Sequence, residues 1–383
     1  MLIREFLSNE IENIKIKGFY RQLNENKNDD TVINLSSNDY LGLAYNSKIK
    51  RTAKQIISEY PLSSSSSPLI YGYFKPHIDL ENKLCKFKGG YERCMLYPSG
   101  YQANLGIISA LSKLSLNKTF IAFDELSHAS IIDGVLCSKA KFGRFKHNDA
   151  NHLGDLLKKN KSYEIKIVIT EGVFSMDGDI ANLPDIIDVS KFYNAITIVD
   201  DAHATGTIGS FGGGSCNYHN GVKPDIIMGT LGKALASEGA FVLSDSLMID
   251  YFINKSRPYI FSTAISPVAA GIALEALNII ENKPELVSKL QTLSQNIRMF
   301  LKNNGLNILN SNTHIIPILI GDEKKAAAIE KYLSIKEGIL LKSVKYPTVA
   351  KGQARLRFSV NAGLRNIDIK KILKKLSELN NIK

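Results

Sequence analysis

Two groups of ionisable residues follow apolar runs in a way that could bring them together. Asp200 and His203 come directly after the apolar run 196–199, and Lys233 comes shortly after the apolar run 226–228. If both runs are strands of a parallel sheet, these side chains reach the same edge of that sheet, where ligands bind. A carboxylate and a lysine at such an edge can form a salt bridge, or they can hold the two ends of a pyridine aldehyde cofactor.

The surroundings of this pair favour a phosphorylated cofactor. Residues 97–101, Tyr-Pro-Ser-Gly-Tyr, follow a predicted strand and open a predicted helix. A helix N-terminus offers backbone N–H groups and a positive dipole end to a phosphate. Thr230 adds a hydroxyl close to Lys233. The pattern is typical of pyridoxal phosphate sites, in which the lysine forms a Schiff base and the aspartate pairs with the pyridine nitrogen.

The elements that must position these residues alternate between strand and helix. The predicted strands between residues 119 and 245 are TFIAFD, KFGRF, IKIVITEG, AITIVDDAH, PDIIMGT and AFVLSD. Helical patterns separate most of them, which predicts an α/β fold with a mainly parallel sheet covered on both faces.

The pattern changes after residue 261. Two long helical segments come first, and strands HIIPILI, GILLKSV (338–344) and ARLRFSV (354–360) then intermix with helices. We therefore expect an N-terminal helix and extended segment over 1–45, a large α/β domain over 46–280, and a small α+β domain over 281–383.

Composition narrows the class of protein. The chain has 383 residues, of which 44% are hydrophobic and 22% charged, the mixture of an ordinary folded enzyme. Its 48 Lys and Arg exceed its 37 Asp and Glu, giving a net charge of +11. That excess favours acidic partners or is a plain lysine-rich surface. The four cysteines form no C-x-x-C pair, and no apolar stretch is long enough for a membrane span, so we expect a cytoplasmic protein without a metal site.

Three common motifs are absent. Gly232-Lys233 does not complete a P-loop, and Ser215 does not sit in G-x-S-x-G. The glycines between Gly206 and Gly214 do not give the dinucleotide pattern after a strand, and we interpret that cluster as a flexible surface loop.

Seven segments together resemble the α-oxoamine synthases, which are fold-type I pyridoxal phosphate enzymes. They are LSSNDYLGLA (35–44), SGYQAN (99–104), DELSHASIIDG (124–134), TEGVFSMDGD (170–179), VDDAHATGTIG (199–209), GTLGKA (229–234) and ARLRFSV (354–360). The resemblance covers nearly the whole chain. It implies a mainly parallel seven-stranded sheet, a pyridoxal 5'-phosphate cofactor, and a homodimer with its active site at the subunit interface.

The resemblance also implies a set of catalytic residues. Lys233 resembles the lysine that forms the Schiff base, and Asp200 resembles the partner of the pyridine nitrogen. His203 and Ser175 resemble the donors to the ring hydroxyl, and His128 resembles the imidazole stacked over the ring.

Further residues are implied as binding groups. Gly100 and Tyr101 resemble the phosphate site, with Thr230 beside them. Ser262 and Thr263 resemble the segment that reaches the phosphate from a second subunit.

The resemblance places the substrates as well. Arg357 with Asn38 resembles the clamp for the amino acid carboxylate, while Arg355 is more simply a structural ion-pair partner. Arg21 and Lys345 resemble residues of the acyl-donor site, where Lys345 replaces an arginine of some relatives. The tract Ser63 to Ser67 replaces a glycine-rich stretch, which puts its contacts to the acyl donor in doubt.

Within the family, the motifs favour L-alanine and a pimeloyl thioester, carried by coenzyme A or an acyl carrier protein, as in biotin synthesis. Glycine with acetyl-CoA is the alternative, and the catalytic residues do not separate the two. A basic nucleic-acid-binding protein is a rival of another class, but the chain lacks a recognised nucleic-acid motif and retains both Asp200 and Lys233. We therefore expect no nucleic acid and no membrane among its partners.

Overall fold

The computed structural model of the protein describes residues 2–21, 23, 25 and 32–378. Part of the expected N-terminal extended segment, 26–31, lies outside the described residues. The α-helices of the described part are α1 Leu2–Ile16, α2 Ser47–Glu59, α3 Lys75–Phe87, α4 Gly100–Ser112, α5 Ala129–Ser138, α6 Ala150–Lys159, α7 Leu183–Phe192, α8 Ser215–Tyr218, α9 Ser246–Lys255, α10 Arg257–Ile260, α11 Pro267–Asn282, α12 Glu285–Asn303, α13 Glu323–Glu337 and α14 Asn366–Ser377. Short 3₁₀ helices span Leu116–Lys118 and Ser210–Gly212.

The strands of the same part of the chain form three sheets. They are β1 Ile33–Asn34, β2 Arg93–Tyr97, β3 Thr119–Asp124, β4 Lys141–Phe145, β5 Ile165–Glu171, β6 Ala195–Asp200, β7 Ile226–Thr230, β8 Ala240–Ser244, β9 Ile315–Gly321, β10 Ile339–Leu340, β11 Ser343–Val344 and β12 Ala354–Ser359.

The central sheet has seven strands in the order β2-β8-β7-β6-β5-β3-β4. Strands β4, β3, β5, β6 and β7 pair in parallel, and β8 is antiparallel to both of its neighbours. The predicted α/β fold with a mainly parallel seven-stranded sheet is therefore confirmed.

Alternation along each strand explains why helices cover both faces of the sheet. In β7, Ile226 and Met228 pack on the face covered by α4, α5 and α9, while Ile227 packs on the opposite face. The strands are almost continuously apolar because both faces are buried.

Four of the parallel strands end in a polar residue at the carboxyl edge of the sheet. Strands β3, β5, β6 and β7 end at Asp124, Glu171, Asp200 and Thr230. The register pairs Glu171 with Asp200 directly, so two carboxyl groups lie side by side at this edge. The edge therefore gathers ionisable groups from segments far apart in sequence.

The C-terminal part contains a three-stranded antiparallel sheet in the order β11-β12-β9. The single strand predicted over 338–344 is wrong, because the chain makes two short strands there that pair with different partners. One of them, β10, pairs in parallel with β1 and so attaches the segment near residue 33 to the C-terminal region. The division at residue 281 stays a prediction, and it falls near the junction between α11 and α12.

The glycine cluster 206–214 is only in part the surface loop that we expected, because Ser210 and Phe211 are exposed while most of its glycines are not. Gly206, Gly212, Gly213 and Gly214 are all buried. The Nζ of Lys88 donates to the Gly213 carbonyl at 2.7 Å. This fully enclosed lysine ties the C-terminal part of the loop to the rest of the domain.

The same lysine forms a buried ion pair beside the site. Lys88 bonds to Asp201, and both side chains are inaccessible to solvent. The other carboxylate oxygen of Asp201 accepts from the Ser215 hydroxyl and backbone N–H. Asp201 thus fixes the backbone next to Asp200 by bonds on both of its oxygens.

Among the described residues, no helix combines the length and apolar character that crossing a membrane requires. All four cysteines carry free thiols.

Replacing Lys88 by methionine should destabilise the protein strongly. The substitution keeps the side-chain volume but leaves the Asp201 carboxylate buried without its cation, which costs about 3–5 kcal/mol. Urea unfolding measures the loss. The control is Lys83→Met, which breaks the more exposed pair with Glu281 and should cost about 1 kcal/mol or less. Equal losses in the two variants would contradict the role given to the buried pair.

Candidate functional site

A cavity of about 230 Å³ opens at the carboxyl edge of the central sheet. It collects side chains from five segments that follow strands. Its lining residues are Gly100, Tyr101, His128, Ser130, Glu171, Asp200, Ala202, His203, Met228, Thr230 and Lys233. Larger cavities elsewhere in the fold do not contain this ionisable cluster.

Lys233 lies in the turn that follows β7, and its amine points at an imidazole. Its Nζ is 2.8 Å from Nε2 of His203. Burial lowers the pKa of Lys233 to about 8, although the nearby carboxylates of Asp200 and Glu171 act in the opposite direction. A pKa of about 8 leaves about a tenth of the amine neutral at pH 7, far more than for an ordinary lysine. The amine is therefore suited to nucleophilic and base chemistry.

Asp200 ends β6 inside the same cavity. Its Oδ2 accepts from Nδ2 of Asn104 at 2.9 Å, and its Oδ1 accepts from the Ala202 backbone N–H at 3.0 Å. Burial raises the pKa of Asp200, while Lys233 and the bond from Asn104 lower it. These contacts fix the carboxylate without covering it, so it can face a cationic ring nitrogen.

His203 is buried and neutral. Burial lowers its pKa well below the usual value, and the nearby cations Lys233 and Arg357 lower it further. Its Nδ1 is 2.7 Å from the hydroxyl of Tyr40. Both ring nitrogens therefore have partners, which holds the imidazole in one orientation.

His128 caps the N-terminus of α5 at the rim of the cavity. Its Nδ1 is 2.8 Å from the Ser130 hydroxyl, and its backbone N–H donates to Oε1 of Glu171 at 2.6 Å. Although His128 is exposed, the surrounding protein desolvates its imidazole enough to lower its pKa. Its place at the rim suits a ring that covers a bound planar group.

The N-terminus of α4 borders the cavity at Gly100 and Tyr101. Ser99 caps the helix by accepting from the Gln102 N–H at 3.2 Å, which fixes the first turn. The Thr230 hydroxyl also lines the cavity and donates to the Gly239 carbonyl at 3.1 Å. Helix α4 is thirteen residues long, and its N-terminus at this place can bind a phosphate.

Arg357 lies close to the same cluster. Its Nε donates to the Ser175 carbonyl at 2.7 Å, and one terminal nitrogen donates to Asn38 at 3.2 Å and to Ser359 at 2.7 Å. Arg355 instead forms an ion pair with Asp177 at 2.8 Å. The two arginines lie two positions apart on the same face of β12, and their partners distinguish them: Arg357 belongs to the site and Arg355 to a structural pair.

Several predicted residues lie apart from the cavity. Ser262 is half-buried and Thr263 is exposed, and neither lines the cavity in the single chain. Ser175 is buried beside Arg357 rather than in the cavity wall. Arg21 and Lys345 line a different, larger cavity of about 1050 Å³, which also includes Met176.

Sequence reasoning missed three residues of the site. Glu171, Asn104 and Tyr40 all contact predicted site residues directly. Glu171 ends a predicted strand, and the strand-end rule that found Asp200 also applies to it. Asn104 lies one helical turn after Gly100. The Tyr40 contact depends on how the N-terminal segment folds back, which no local pattern shows.

The arrangement fits pyridoxal phosphate. The cavity offers an amine with a lowered pKa, a buried carboxylate, an imidazole and a helix N-terminus, which suit the aldehyde, the ring nitrogen, the ring face and the phosphate of the cofactor. One buried polar atom, Oδ1 of Asn104, also lacks a partner next to Asp200. If Asp200 and Lys233 served only as a structural ion pair, the other polar groups of the cavity, including this oxygen, would have no ligand to bind.

Comparison with known proteins gives consistent results. Residues 30–376 match the family described as aminotransferase class I and II. An 8-amino-7-oxononanoate synthase from Thermoanaerobacter pseudethanolicus is 38% identical over 381 residues, which cover 97% of this chain and 95% of the relative.

Two solved structures share the fold. A serine palmitoyltransferase from S. paucimobilis, with bound PLP–myriocin aldimine, has a TM-score of 0.90 and 25% identity, covering 100% of this chain and 98% of its own. An 8-amino-7-oxononanoate synthase from Francisella tularensis has a TM-score of 0.78 and 29% identity, covering 92% and 99%. These similarities agree with the resemblance drawn from the sequence motifs.

The reactivity of Lys233 should depend on Asp200. In the cofactor-free chain, trace acetylation followed by peptide mapping should show Lys233 reacting with a midpoint near its pKa of about 8. In Asp200→Asn the midpoint should fall, because the carboxylate that raises the pKa is gone while burial remains. Asp250→Asn, a surface control paired with Arg93, should leave the midpoint unchanged. A midpoint that rises or stays the same in Asp200→Asn would contradict the geometry.

Proposed function

The chain belongs to the aminotransferase class I and II family, and from that premise we propose that it condenses L-alanine with a pimeloyl thioester to give 8-amino-7-oxononanoate. It is a pyridoxal-phosphate-dependent acyltransferase, and its cofactor is pyridoxal 5'-phosphate. The choice of substrates rests on the names of its relatives at nearly full coverage.

The observation that carries the proposal is the position of Arg357 relative to Lys233. The guanidinium reaches the Tyr40 hydroxyl, which contacts His203, which in turn contacts Lys233. A carboxylate bound by Arg357 and Asn38 therefore places an amino acid near the buried amine. This arrangement suits chemistry at the α-carbon of an amino acid.

Each residue has a task in the proposed reaction. Pyridoxal phosphate, when bound, supplies an electron sink for the carbanion that forms at the α-carbon. Lys233 removes the α-proton of alanine, for which its pKa of about 8 is suited. Asp200 would hold its negative charge towards the pyridine nitrogen of the bound cofactor, and His203 would bind its ring oxygen. Arg357 keeps the carboxylate in place until it leaves.

Apart from the two substrates, the proposed reaction consumes one proton, which solvent supplies. The α-carbon attacks the thioester carbonyl, the new C–C bond forms, and the thiol leaves with a proton. The carboxylate then leaves as carbon dioxide, and a proton returns to the α-carbon to give the amino ketone. Lys233 is the group placed to return that proton.

The large cavity near the N-terminal helix is our candidate for the acyl-donor site. Arg21 and Lys345 both line it, together with Met176, which follows the Arg357 contact Ser175 in sequence. These two cations suit the phosphates of coenzyme A or of the phosphopantetheine arm of an acyl carrier protein. We propose that the pimeloyl chain enters the site by this route.

A second copy of the chain completes the proposed site. Helix α1 has no buried residue, and Phe6 and other apolar side chains on it are exposed. Ser262 and Thr263 do not line the cavity of the single chain. We propose a homodimer in which these two hydroxyls reach the cofactor phosphate of the other subunit.

Steady-state assays with the holoenzyme test the substrate assignment. With pimeloyl-CoA, alanine should exceed glycine in kcat/KM by about tenfold or more, because a pocket shaped for one extra methyl gains about that factor. Thiol release and product mass measure the reaction. Faster turnover of glycine with acetyl-CoA would contradict the proposal.

Two arginine variants supply the matched control. Arg357→Lys loses the planar fork and should raise KM for alanine about tenfold. Arg355 pairs with Asp177, so Arg355→Lys should leave the KM for alanine close to the wild-type value. An equal effect on KM in both variants would remove Arg357 from the carboxylate site.

A further inference from the structure

One buried hydroxyl connects the amine end of the site to its carboxylate end. Tyr40 is fully buried, and its hydroxyl lies 2.7 Å from Nδ1 of His203. The same oxygen lies 2.9 Å from Oδ1 of Asn38 and accepts from Arg357 at 3.4 Å. No other described residue bonds both to His203 and to the Asn38–Arg357 pair.

The hydrogen bonds have one consistent direction when protons are counted. A protonated lysine amine can only donate, so Nε2 of His203, 2.8 Å from Nζ of Lys233, is the acceptor and Nδ1 carries the single ring proton of the neutral imidazole. Nδ1–H then donates to Tyr40, and the Tyr40 hydroxyl donates to Oδ1 of Asn38. Every donor along this path meets one acceptor.

The surroundings keep both rings in the required protonation states. Lys233, Arg357, His314 and His128 all face His203, and together with burial they lower its pKa well below the usual value. Burial raises the pKa of Tyr40, so its hydroxyl stays protonated. The ring of His314 packs edge-on against Tyr40 with a centroid distance of 4.1 Å and holds the phenol in place.

We propose that Tyr40 is a positioning residue that selects which nitrogen of His203 carries the ring proton and links that choice to Asn38 and Arg357. A hydroxyl can accept from Nδ1–H or, after rotating, donate to a bare Nδ1. His203 can therefore accept from Lys233 through Nε2, or donate through Nε2 to an anionic oxygen of the cofactor ring. The inference rests on the proposed function for the roles of Lys233 and His203.

The test compares two tyrosine-to-phenylalanine variants of the holoenzyme. Tyr40→Phe removes the hydroxyl that pairs with His203, whereas Tyr91→Phe removes a buried hydroxyl that donates to the Pro224 carbonyl at 2.8 Å, away from the cavity. The readouts are the pH midpoint of the cofactor's visible absorption band and the separate values of KM and kcat for alanine. Tyr40→Phe should shift the midpoint by about one pH unit, the size expected for one lost hydrogen bond, and should raise KM. Tyr91→Phe should change neither.

A double variant shows whether Tyr40 acts through His203. If it does, adding Tyr40→Phe to His203→Asn should shift the midpoint no further, because the two residues act as one unit. The same shift in both backgrounds, or no shift in Tyr40→Phe alone, would overturn the proposal.

A second variant and a readout that needs no substrate complete the test. If Tyr40→Phe does not fold, Asn38→Ala removes the acceptor of the Tyr40 proton without emptying the core, and it should also shift the midpoint; an unchanged midpoint would overturn the proposal. The midpoint needs neither amino acid nor acyl donor. A failure of the alanine assay in the wild-type enzyme would therefore contradict the proposed function and leave the Tyr40 result standing.

Discussion

The burial of one lysine amine against a neutral imidazole is the interaction on which the rest of the site depends. Lys233 would be fully protonated and unreactive at neutral pH if it were exposed. Enclosure lowers its pKa to about 8, and Asp200 and Glu171 prevent it from falling further. The site therefore balances desolvation against two carboxyl groups, and the contact with His203 fixes the direction in which the amine points.

That balance requires a rigid support, and the sheet supplies it. Asp200 and Glu171 are neighbours because β5 and β6 pair in register, and Lys233 follows the adjacent β7. Behind them, the buried Lys88–Asp201 pair holds the glycine-rich loop against the same strand end. The glycines are needed there because a Cβ at Gly214 would lie 2.0 Å from the Asp201 carboxylate. The buried part of the loop therefore supports the site, while its tip at Phe211 is exposed.

Much of this could be predicted from the sequence, and the reason is that the strand ends are local features. Apolar runs ending in Asp200 or leading to Lys233 can be recognised without knowing the fold, and the parallel sheet then brings them together. The cofactor and the family followed from those residues and the motifs around them. The roles of the individual site residues stay predictions.

What could not be predicted depends on contacts between distant segments. Tyr40 reaches His203 across 163 positions of sequence, and Lys88 reaches Asp201 across 113. The strand expected over 338–344 is split because β1, some 300 residues earlier, pairs with half of it. Such pairings depend on tertiary packing, which local periodicity does not encode.

The most direct test of the central claim is to find which lysine carries the cofactor. Borohydride reduction of the holoenzyme fixes the cofactor to its lysine, and peptide mapping by mass spectrometry identifies the modified residue. The account predicts a single modified peptide that contains Lys233, and no modified peptide in Lys233→Ala. Modification of any other lysine in the wild-type protein would contradict it.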